Sequence, residues 1–149
     1  MSDIIRISNI SDYKQEIINN ELILTPIYNY IDENELYSKD LNNSIIESCL
    51  ILDNDEIISN SMKYFRVLID IYKSMSASTI LQNTTFNIKL TNEKGYKGYY
   101  WCQEINMSVQ RRDAIGTIKE IIKMIKINKY KINICIKLIT NEKIRFKLD

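Results

Sequence analysis

Hydrophobic and polar residues alternate along four stretches in the second half of the chain. Strict alternation places every second side chain on one face of a pleated strand, so each stretch is predicted to be a β-strand. A helix is predicted between the second and third strands, because its isoleucines follow three- and four-residue spacing. This order predicts two hairpins in one antiparallel sheet, with the helix on its apolar face. The strands are Phe86–Leu90, Tyr99–Val109, Ile132–Leu138 and Ile144–Leu148, and the helix is Asp113–Ile127.

The register of the last hairpin follows from its two apolar rows. Pairing Leu138 with Ile144, and Ile136 with Phe146, aligns the rows, whereas a slip of one residue would turn one row to water. The connection between the strands then has an odd length. Asn141 is its best candidate for a left-handed conformation, because no glycine is present there.

The predicted helix has a cap and two distinct faces. Asp113 is a suitable N-cap because its carboxylate can accept from the first free amides. Gly116 costs the helix roughly 1 kcal/mol relative to alanine, and a close approach of helix to strand is one reason to keep it. The side away from the sheet is predicted to carry Lys119, Glu120, Lys123 and Lys126.

The first half is predicted to be mainly helical. Ser11 or Asp12 is a candidate cap for a helix through Asn20, followed by an extended segment, Glu21–Tyr30. Asp or Ser with Glu three residues later resembles a capping box, and this pattern occurs at 32–35, 44–47 and 53–56. The second occurrence favours helix over strand for residues 44–52. The third opens the longest predicted helix, which runs to about residue 74 with an apolar stripe of Ile58, Met62, Phe65, Ile69 and Tyr72.

The predicted fold class is α+β in a single domain spanning residues 1–149. A mainly helical half, residues 1–75, packs on a C-terminal antiparallel sheet of about four strands in ββαββ order, residues 79–149. The two halves also differ in charge. Six Lys and Arg against thirteen Asp and Glu give −7 through Met75, and fourteen against six give +8 from Ser76 onward. The net charge of +1 therefore hides a dipolar chain.

The composition argues against an enzyme and against a metal site. The chain has no histidine, which removes Ser–His and Cys–His nucleophile pairs and the histidine general base. Cys49, Cys102 and Cys135 lack metal-ligand spacing and are predicted to be buried free thiols. The acids Asp53, Asp55 and Glu56 are explained by helix capping rather than by a cation. No catalytic residue, metal or cofactor is therefore predicted.

The chain is predicted to be a soluble cytoplasmic protein. Ser2, Asp3 and Arg6 interrupt any apolar N-terminal run, and no apolar stretch is long enough to span a bilayer. Heavy use of Ile, Asn, Lys and Tyr, with little Ala, Gly or Pro, indicates an AT-rich genome such as that of a low-GC bacterium or a virus.

A basic and aromatic stretch beside the first hairpin is the candidate partner-binding surface. Aromatic rings next to cations suit base stacking and phosphate contact, and Tyr and Trp also anchor protein interfaces. The same residues have an ordinary structural explanation as core rings, cross-strand pairs and edge lysines. The candidates are Lys94, Tyr96, Lys97, Tyr99, Tyr100, Arg111 and Arg112, with Trp101 beside them.

The function expected from these features is a non-enzymatic, intracellular protein-binding module, such as an inhibitor, an immunity-type neutraliser or a small subunit of an assembly. Opposite charges on the two halves favour a charged protein partner or self-association. The alternative is an RNA- or DNA-binding protein that uses the basic aromatic face. The same charges would carry no such meaning if the two halves neutralised each other within the fold.

Overall fold

The computed structural model describes residues 13–26, 30–93 and 97–149, and side chains within the first of these ranges at 15–24. Strands and helices alternate along the whole of this part of the chain. The strands are β1 Tyr13–Ile18, β2 Glu21–Pro26, β3 Ile45–Asp53, β4 Glu56–Ser59, β5 Ile88–Lys89, β6 Tyr99–Cys102, β7 Met107–Gln110, β8 Lys131–Lys137 and β9 Lys143–Leu148. The helices are α1 Glu33–Ser38, α2 Tyr64–Lys73, α3 Ala77–Asn83 and α4 Ala114–Asn128.

The central sheet has the order β4-β3-β8-β9, and all of its neighbouring strands are antiparallel. β3 and β8 form its middle, with Cys49 opposite Ile134 and Ile51 opposite Ile132. The inward side chains of both strands are buried in the same core as α2 and α4, which lie against each other. The molecule is therefore built around a sheet that takes its central strands from both halves of the chain.

The prediction of a helical first half is wrong, because residues 44–52 form most of β3. β-Branched isoleucines recur along this segment and fit a pleated, half-buried surface, and this outweighs the capping-box pattern at 44–47. The pattern at 53–56 is a hairpin turn in which Asp53 pairs with Glu56 and Asn54 has a φ of 54°. The long predicted helix therefore begins only at Tyr64, and Met62 of its apolar stripe is exposed.

The predicted helix ending at Asn20 is also wrong. Asn19 and Asn20 have φ of 52° and 63°, the two positive values that a tight hairpin turn requires, and they join β1 to β2. Ile17 and Leu22 face each other across this hairpin and are 78% and 59% exposed. The extended segment predicted after Asn20 contains β2. Ser11 and Asp12, proposed as the helix cap, lie outside the described residues.

The second half forms parts of two sheets rather than one. The stretch Tyr99–Val109 is broken by a turn at residues 103–106, where Asn106 has a φ of 51°, so it forms two strands, β6 and β7. β5 pairs with β7 and not with the strand that begins at Tyr99, giving a small sheet of order β5-β7-β6. Ile105 lies in this turn and is half-buried, so apolar and polar residues continue to alternate through it. The sequence pattern therefore does not show where β6 ends and β7 begins.

The last hairpin has the predicted faces but a different register. Ile136 pairs with Ile144, and Ile134 with Phe146, so the pairing is shifted by two residues from the predicted one. A shift of two keeps both apolar rows on the same side, and hydrophobicity alone does not separate the two registers. Asn141 is left-handed as predicted, with a φ of 71°.

Two helix caps are confirmed. The Asp113 carboxylate accepts from the Gly116 amide at 2.8 Å and begins α4, and Asp32 accepts from the Glu35 amide at 2.7 Å and begins α1.

The prediction that Glu120 lies on the exposed face of α4 is wrong, since this residue is 1% exposed. No helix in the described ranges is long and apolar enough to cross a membrane.

The opposite charges of the two halves meet in part within the fold. Lys143 pairs with Glu47 at 3.2 Å, and Lys39 pairs with Glu142 at 3.5 Å. Lys126 also forms an ion pair with Glu33. All three pairs link the two halves. In two of them, Lys143–Glu47 and Lys126–Glu33, a cation of the basic half meets an acid of the acidic half, so part of the dipolar charge is internal and not available for a partner.

The three cysteines are buried and free, as predicted. Burial raises the pKa of the Cys49 thiol to about 12, and burial together with the Glu104 carboxylate raises that of Cys102 to about 11. Very little thiolate, the reactive form, is therefore present at neutral pH.

We expect all three thiols to react with Ellman's reagent at pH 8 only as fast as the protein unfolds. The measurement compares the rate of absorbance change in buffer with that in urea, where all three should react at once. A thiol that reacts in buffer as quickly as a free cysteine would show that its strand is open to solvent.

Candidate binding surface

The predicted contact residues divide into several groups. Lys94 and Tyr96 lie outside the described residues. Lys97 is exposed in the turn before β6, and the ring of Tyr99 is half-buried beneath the Lys89 ammonium, 5.6 Å from the ring centroid. Tyr100 and Arg111 come together in one pocket, whereas Arg112 lines a different cavity. The predicted patch is therefore not one continuous surface.

The pocket that contains Tyr100 and Arg111 lies between α2 and the β6–β7 hairpin. It has a volume of about 240 Å³. Ile69, which is buried, contributes an apolar wall. The structure thus joins residues from both halves of the chain in what we call the basic-aromatic pocket: Lys63, Phe65, Arg66, Ile69, Tyr100 and Arg111.

Arg111 lies against two aromatic rings that also contact each other. Its guanidinium carbon lies 4.9 Å from the centroid of Phe65 and 5.4 Å from that of Tyr100. The two rings meet edge to face, with centroids 5.7 Å apart and planes at 83°. The Arg111 amide also donates to the Gly98 carbonyl at 2.7 Å, which fixes the backbone. Contact of the rings with the guanidinium leaves its planar N–H fork to bind an anion.

The pocket carries more positive than negative charge. Arg66 Nε contacts Asp70 Oδ1 at 3.0 Å, and the other oxygen of Asp70 accepts from Ser59 at 2.8 Å. Among the residues that the structure describes, no acid pairs with Lys63 or Arg111. Three cations therefore line a space that is suited to an anionic group, and one of them, Arg66, is paired with Asp70 beside it.

A second carboxylate lies near this pocket. Glu104 is in the turn between β6 and β7, and it is solvent-exposed rather than buried in a strand. Its pKa is lowered mainly by the hydrogen bond from the Cys102 thiol, at 2.9 Å, and also by the nearby charges of Lys73 and Arg66. The positive surface around Arg66 is thus interrupted by two acids, Asp70 and Glu104.

Arg112 is directed away from the basic-aromatic pocket. Its guanidinium carbon lies 5.2 Å from the Phe86 ring centroid. It lines a separate cavity of about 370 Å³, which we call the Arg112 cavity. The two adjacent arginines therefore serve different sites. The Arg112 cavity is lined by Thr85, Arg112, Gly116, Lys119, Glu120 and Lys123.

Sequence reasoning missed the α2 side of the basic-aromatic pocket. Phe65 matched the apolar stripe of a core helix, and Lys63 and Arg66 lay beside that stripe as ordinary solvated residues. The sequence does carry a signal here, because the aromatic Phe65 stands between the basic Lys63 and Arg66 along the chain. The predicted patch has the same combination of aromatic and basic residues. Nothing in the sequence indicates that these two stretches meet.

The acidic cluster considered for a cation does not form a site. Asp53, Asp55 and Glu56 lie in and beside the β3–β4 turn. Within the described ranges, no group of three or more Cys, Asp or Glu side chains is arranged to hold a metal ion.

The geometry of the basic-aromatic pocket is the basis for assigning a function. It presents cations, two rings and an apolar wall in one small concavity. No family model, curated protein or solved structure matches this chain.

Proposed function

We propose that this protein is a non-enzymatic binding module that receives an acidic side chain or terminal carboxylate of a partner protein in the basic-aromatic pocket. The observation that carries the proposal is Arg111, whose guanidinium contacts the rings of both Phe65 and Tyr100 and has no acidic partner among the described residues. An oriented guanidinium binds a carboxylate through two parallel hydrogen bonds. Lys63 and Arg66 line the same space and add to its positive potential.

The size of the pocket favours a single anchoring side chain. Its 240 Å³ equals the volume of about eight water molecules at roughly 30 Å³ each. Small-molecule sites commonly span about 300–1,000 Å³, so this pocket lies below that range. Protein interfaces often depend on one or two anchor residues that fill small pockets rich in aromatic and arginine side chains. The pocket has the dimensions and composition of such a site.

The interrupted charge pattern favours a protein over a nucleic acid. A phosphate backbone is best bound by a continuous basic surface, and nucleic-acid-binding domains are usually strongly basic. Here Asp70 and Glu104 lie close to Arg66, and the net charge is +1. Such a surface suits one anionic group on a folded partner. Because the rings of Phe65 and Tyr100 also suit base stacking, the experiment must distinguish binding of a protein from binding of a nucleic acid.

The chemistry of the pocket supports a binding role and not a catalytic one. Its charged groups are one lysine and two arginines, which attract and orient anions. The chain has no histidine to act as a general base. The three buried free thiols suit a reducing compartment, so we propose a cytoplasmic location.

The test selects ligands from a random peptide library displayed on phage, and compares them with labelled single-stranded RNA and DNA oligonucleotides. We expect enriched peptides to carry an acidic residue beside an aliphatic or aromatic one. Arg111→Ala should weaken their binding by about 2 kcal/mol, roughly 30-fold, because it removes a charged hydrogen-bond donor. Fluorescence polarisation with a selected peptide measures the change.

A charge-matched lysine supplies the control. Lys63 and Lys131 are both exposed, but only Lys63 lines the pocket, so Lys63→Glu should weaken peptide binding while Lys131→Glu leaves it unchanged. Equal losses in both variants would show attraction by overall charge and would contradict the pocket assignment. Oligonucleotide binding that requires Arg111 and weakens steeply with salt, in place of peptide binding, would overturn the proposal in favour of nucleic acid.

A further inference from the structure

The Arg112 cavity is a second basic site, built mainly on α4. Lys119 and Lys123 are four residues apart on that helix and therefore occupy neighbouring positions on one face. Arg112 approaches from the segment between β7 and α4. In the described part of the chain, none of these three cations forms an ion pair with an acid. Three positive groups thus line one cavity of about 370 Å³.

Glu120, the one acid that lines this cavity among the described residues, already has hydrogen-bond donors for both of its oxygens. Oε1 accepts from the Thr85 amide at 3.2 Å and from the Thr85 hydroxyl at 2.8 Å. Oε2 accepts from the Tyr72 hydroxyl at 2.6 Å and from the Thr84 hydroxyl. Glu120 is 1% exposed, and its carboxylate accepts these hydrogen bonds within the fold. Three cations against one engaged carboxylate leave the cavity positively charged.

Gly116 allows Arg112 to lie over the first turn of α4. A Cβ at position 116 would stand 3.0 Å from Arg112 Nε, 3.2 Å from its Cζ and 2.8 Å from Asp113 Oδ1. A larger residue would therefore force the Asp113 carboxylate, and to a smaller extent the Arg112 guanidinium, to shift. This contact, and not an approach of helix to strand, accounts for the glycine. The absence of a side chain at 116 positions a cation at the edge of the cavity.

We infer that the Arg112 cavity binds the phosphate groups of a small ligand. A guanidinium and two ammonium groups match the charge and the hydrogen-bond acceptors of phosphate oxygens. The cavity volume equals about twelve water molecules at roughly 30 Å³ each, which exceeds the space that a single phosphate needs. A diphosphate group can contact more of the three cations at once than a monophosphate can. The positive end of the α4 dipole adds a smaller contribution of the same sign.

The test is a calorimetric titration of the full chain with sodium pyrophosphate at low salt, alongside inorganic phosphate and ATP. We expect pyrophosphate to bind more tightly than inorganic phosphate. ATP binding as tightly as pyrophosphate would show that the ligand is a nucleotide or another phosphate ester, whereas weaker ATP binding would identify an inorganic polyphosphate. The Lys119→Gln/Lys123→Gln double variant should lose affinity by about tenfold or more, since two charged contacts are removed.

Two further variants separate a built site from diffuse attraction. Arg112→Gln removes the third cation of the cavity, so it should weaken pyrophosphate binding severalfold; because Arg112 is exposed, the thermal unfolding midpoint should stay close to that of the wild type. Lys129→Gln/Lys131→Gln removes the same charge elsewhere and should bind normally. No heat of binding at millimolar pyrophosphate would overturn the inference. So would an equal loss in the two lysine double variants, or full affinity in Arg112→Gln.

Discussion

Glu120→Ala is expected to destabilise the protein by at least about 3 kcal/mol. The substitution leaves the Tyr72 hydroxyl, the Thr85 amide and two threonine hydroxyls without their acceptor. Tyr72 is buried and Thr84 is half-buried, and each such donor left unpaired costs about 1–3 kcal/mol, whereas the exposed Thr85 can bond to water instead. Because small domains have a total stability of about 5–15 kcal/mol, this change removes a large fraction of it. Urea denaturation followed by circular dichroism at pH 7 measures the loss as a lower midpoint.

Tyr72 provides a graded companion to this experiment. Burial, and then the neighbouring Glu120 charge, raise the pKa of the Tyr72 phenol, so it remains protonated and donates throughout the neutral range. Tyr72→Phe removes one charge-assisted hydrogen bond and should cost about 1.5–3 kcal/mol. In the double variant the two losses should not add, because both substitutions break the same bond.

An exposed neighbour on α4 serves as the control for Glu120. Lys123→Ala should change stability by no more than about 0.5 kcal/mol, since Lys123 is exposed and has no ion-pair partner within the described residues. If Glu120→Ala unfolded at the same urea concentration as the wild type, the buried network would not be intact in solution. The same result would remove the reason for treating Glu120 as an engaged wall of the Arg112 cavity.

Glu120 shows why charged residues on an amphipathic helix are easily misplaced. Its position beside Lys119 and Lys123 is typical of a solvated face, and the helix pattern gives no reason to bury it. Its donors come from α2 and from the segment after α3, which are distant in sequence. Only tertiary packing brings those donors together. The sequence therefore predicted the bounds of α4 well and its buried polar contact not at all.

Predictions from the sequence were correct where one side chain bonds to nearby backbone amides or where one residue sets the backbone conformation of a turn. Asp113 and Asp32 cap helices as predicted, and Asn141 adopts the left-handed conformation that its turn requires. The same kinds of residue gave wrong predictions at two hairpin turns. Asp53–Glu56 resembles the start of a helix, and Asn19–Asn20 resembles the end of one. A short acidic or Asn-rich segment fits both structures, and strand pairing with distant residues decides between them. This is why the β3–β4 turn and the β1–β2 turn were predicted as a helix start and a helix end.

The basic-aromatic pocket was predictable only on one side. Lys97, Tyr99 and Tyr100 drew attention because rings and cations are adjacent in the sequence, and Tyr100 with Arg111 does form one wall. The opposite wall comes from the start of α2, about forty residues earlier, and its ring had been assigned to the core. A site formed by packing two elements together has no continuous sequence pattern. Four of its six residues therefore emerged only from the fold.

Phe146→Ala is expected to cost about 3–5 kcal/mol, the range for removing a buried aromatic ring from a core. Phe146 is 2% exposed on the inner face of β9, where it pairs with Ile134 of β8 in the central sheet. Loss of the ring leaves a cavity in the core shared with α2 and α4, and the surrounding side chains close it only in part. Chemical denaturation again measures the change, with an unchanged m-value showing that cooperative unfolding is retained.

Phe65→Ala is the matched control, because the same ring is removed from a half-buried position. It should cost roughly 1 kcal/mol in stability, in proportion to its smaller loss of buried area, and should instead weaken peptide binding by releasing Arg111. The two phenylalanines thus separate folding from binding within one experiment. If Phe146→Ala cost no more than Phe65→Ala, β9 would not lie against the core. The central sheet, and with it the placement of both basic sites, would then need revision.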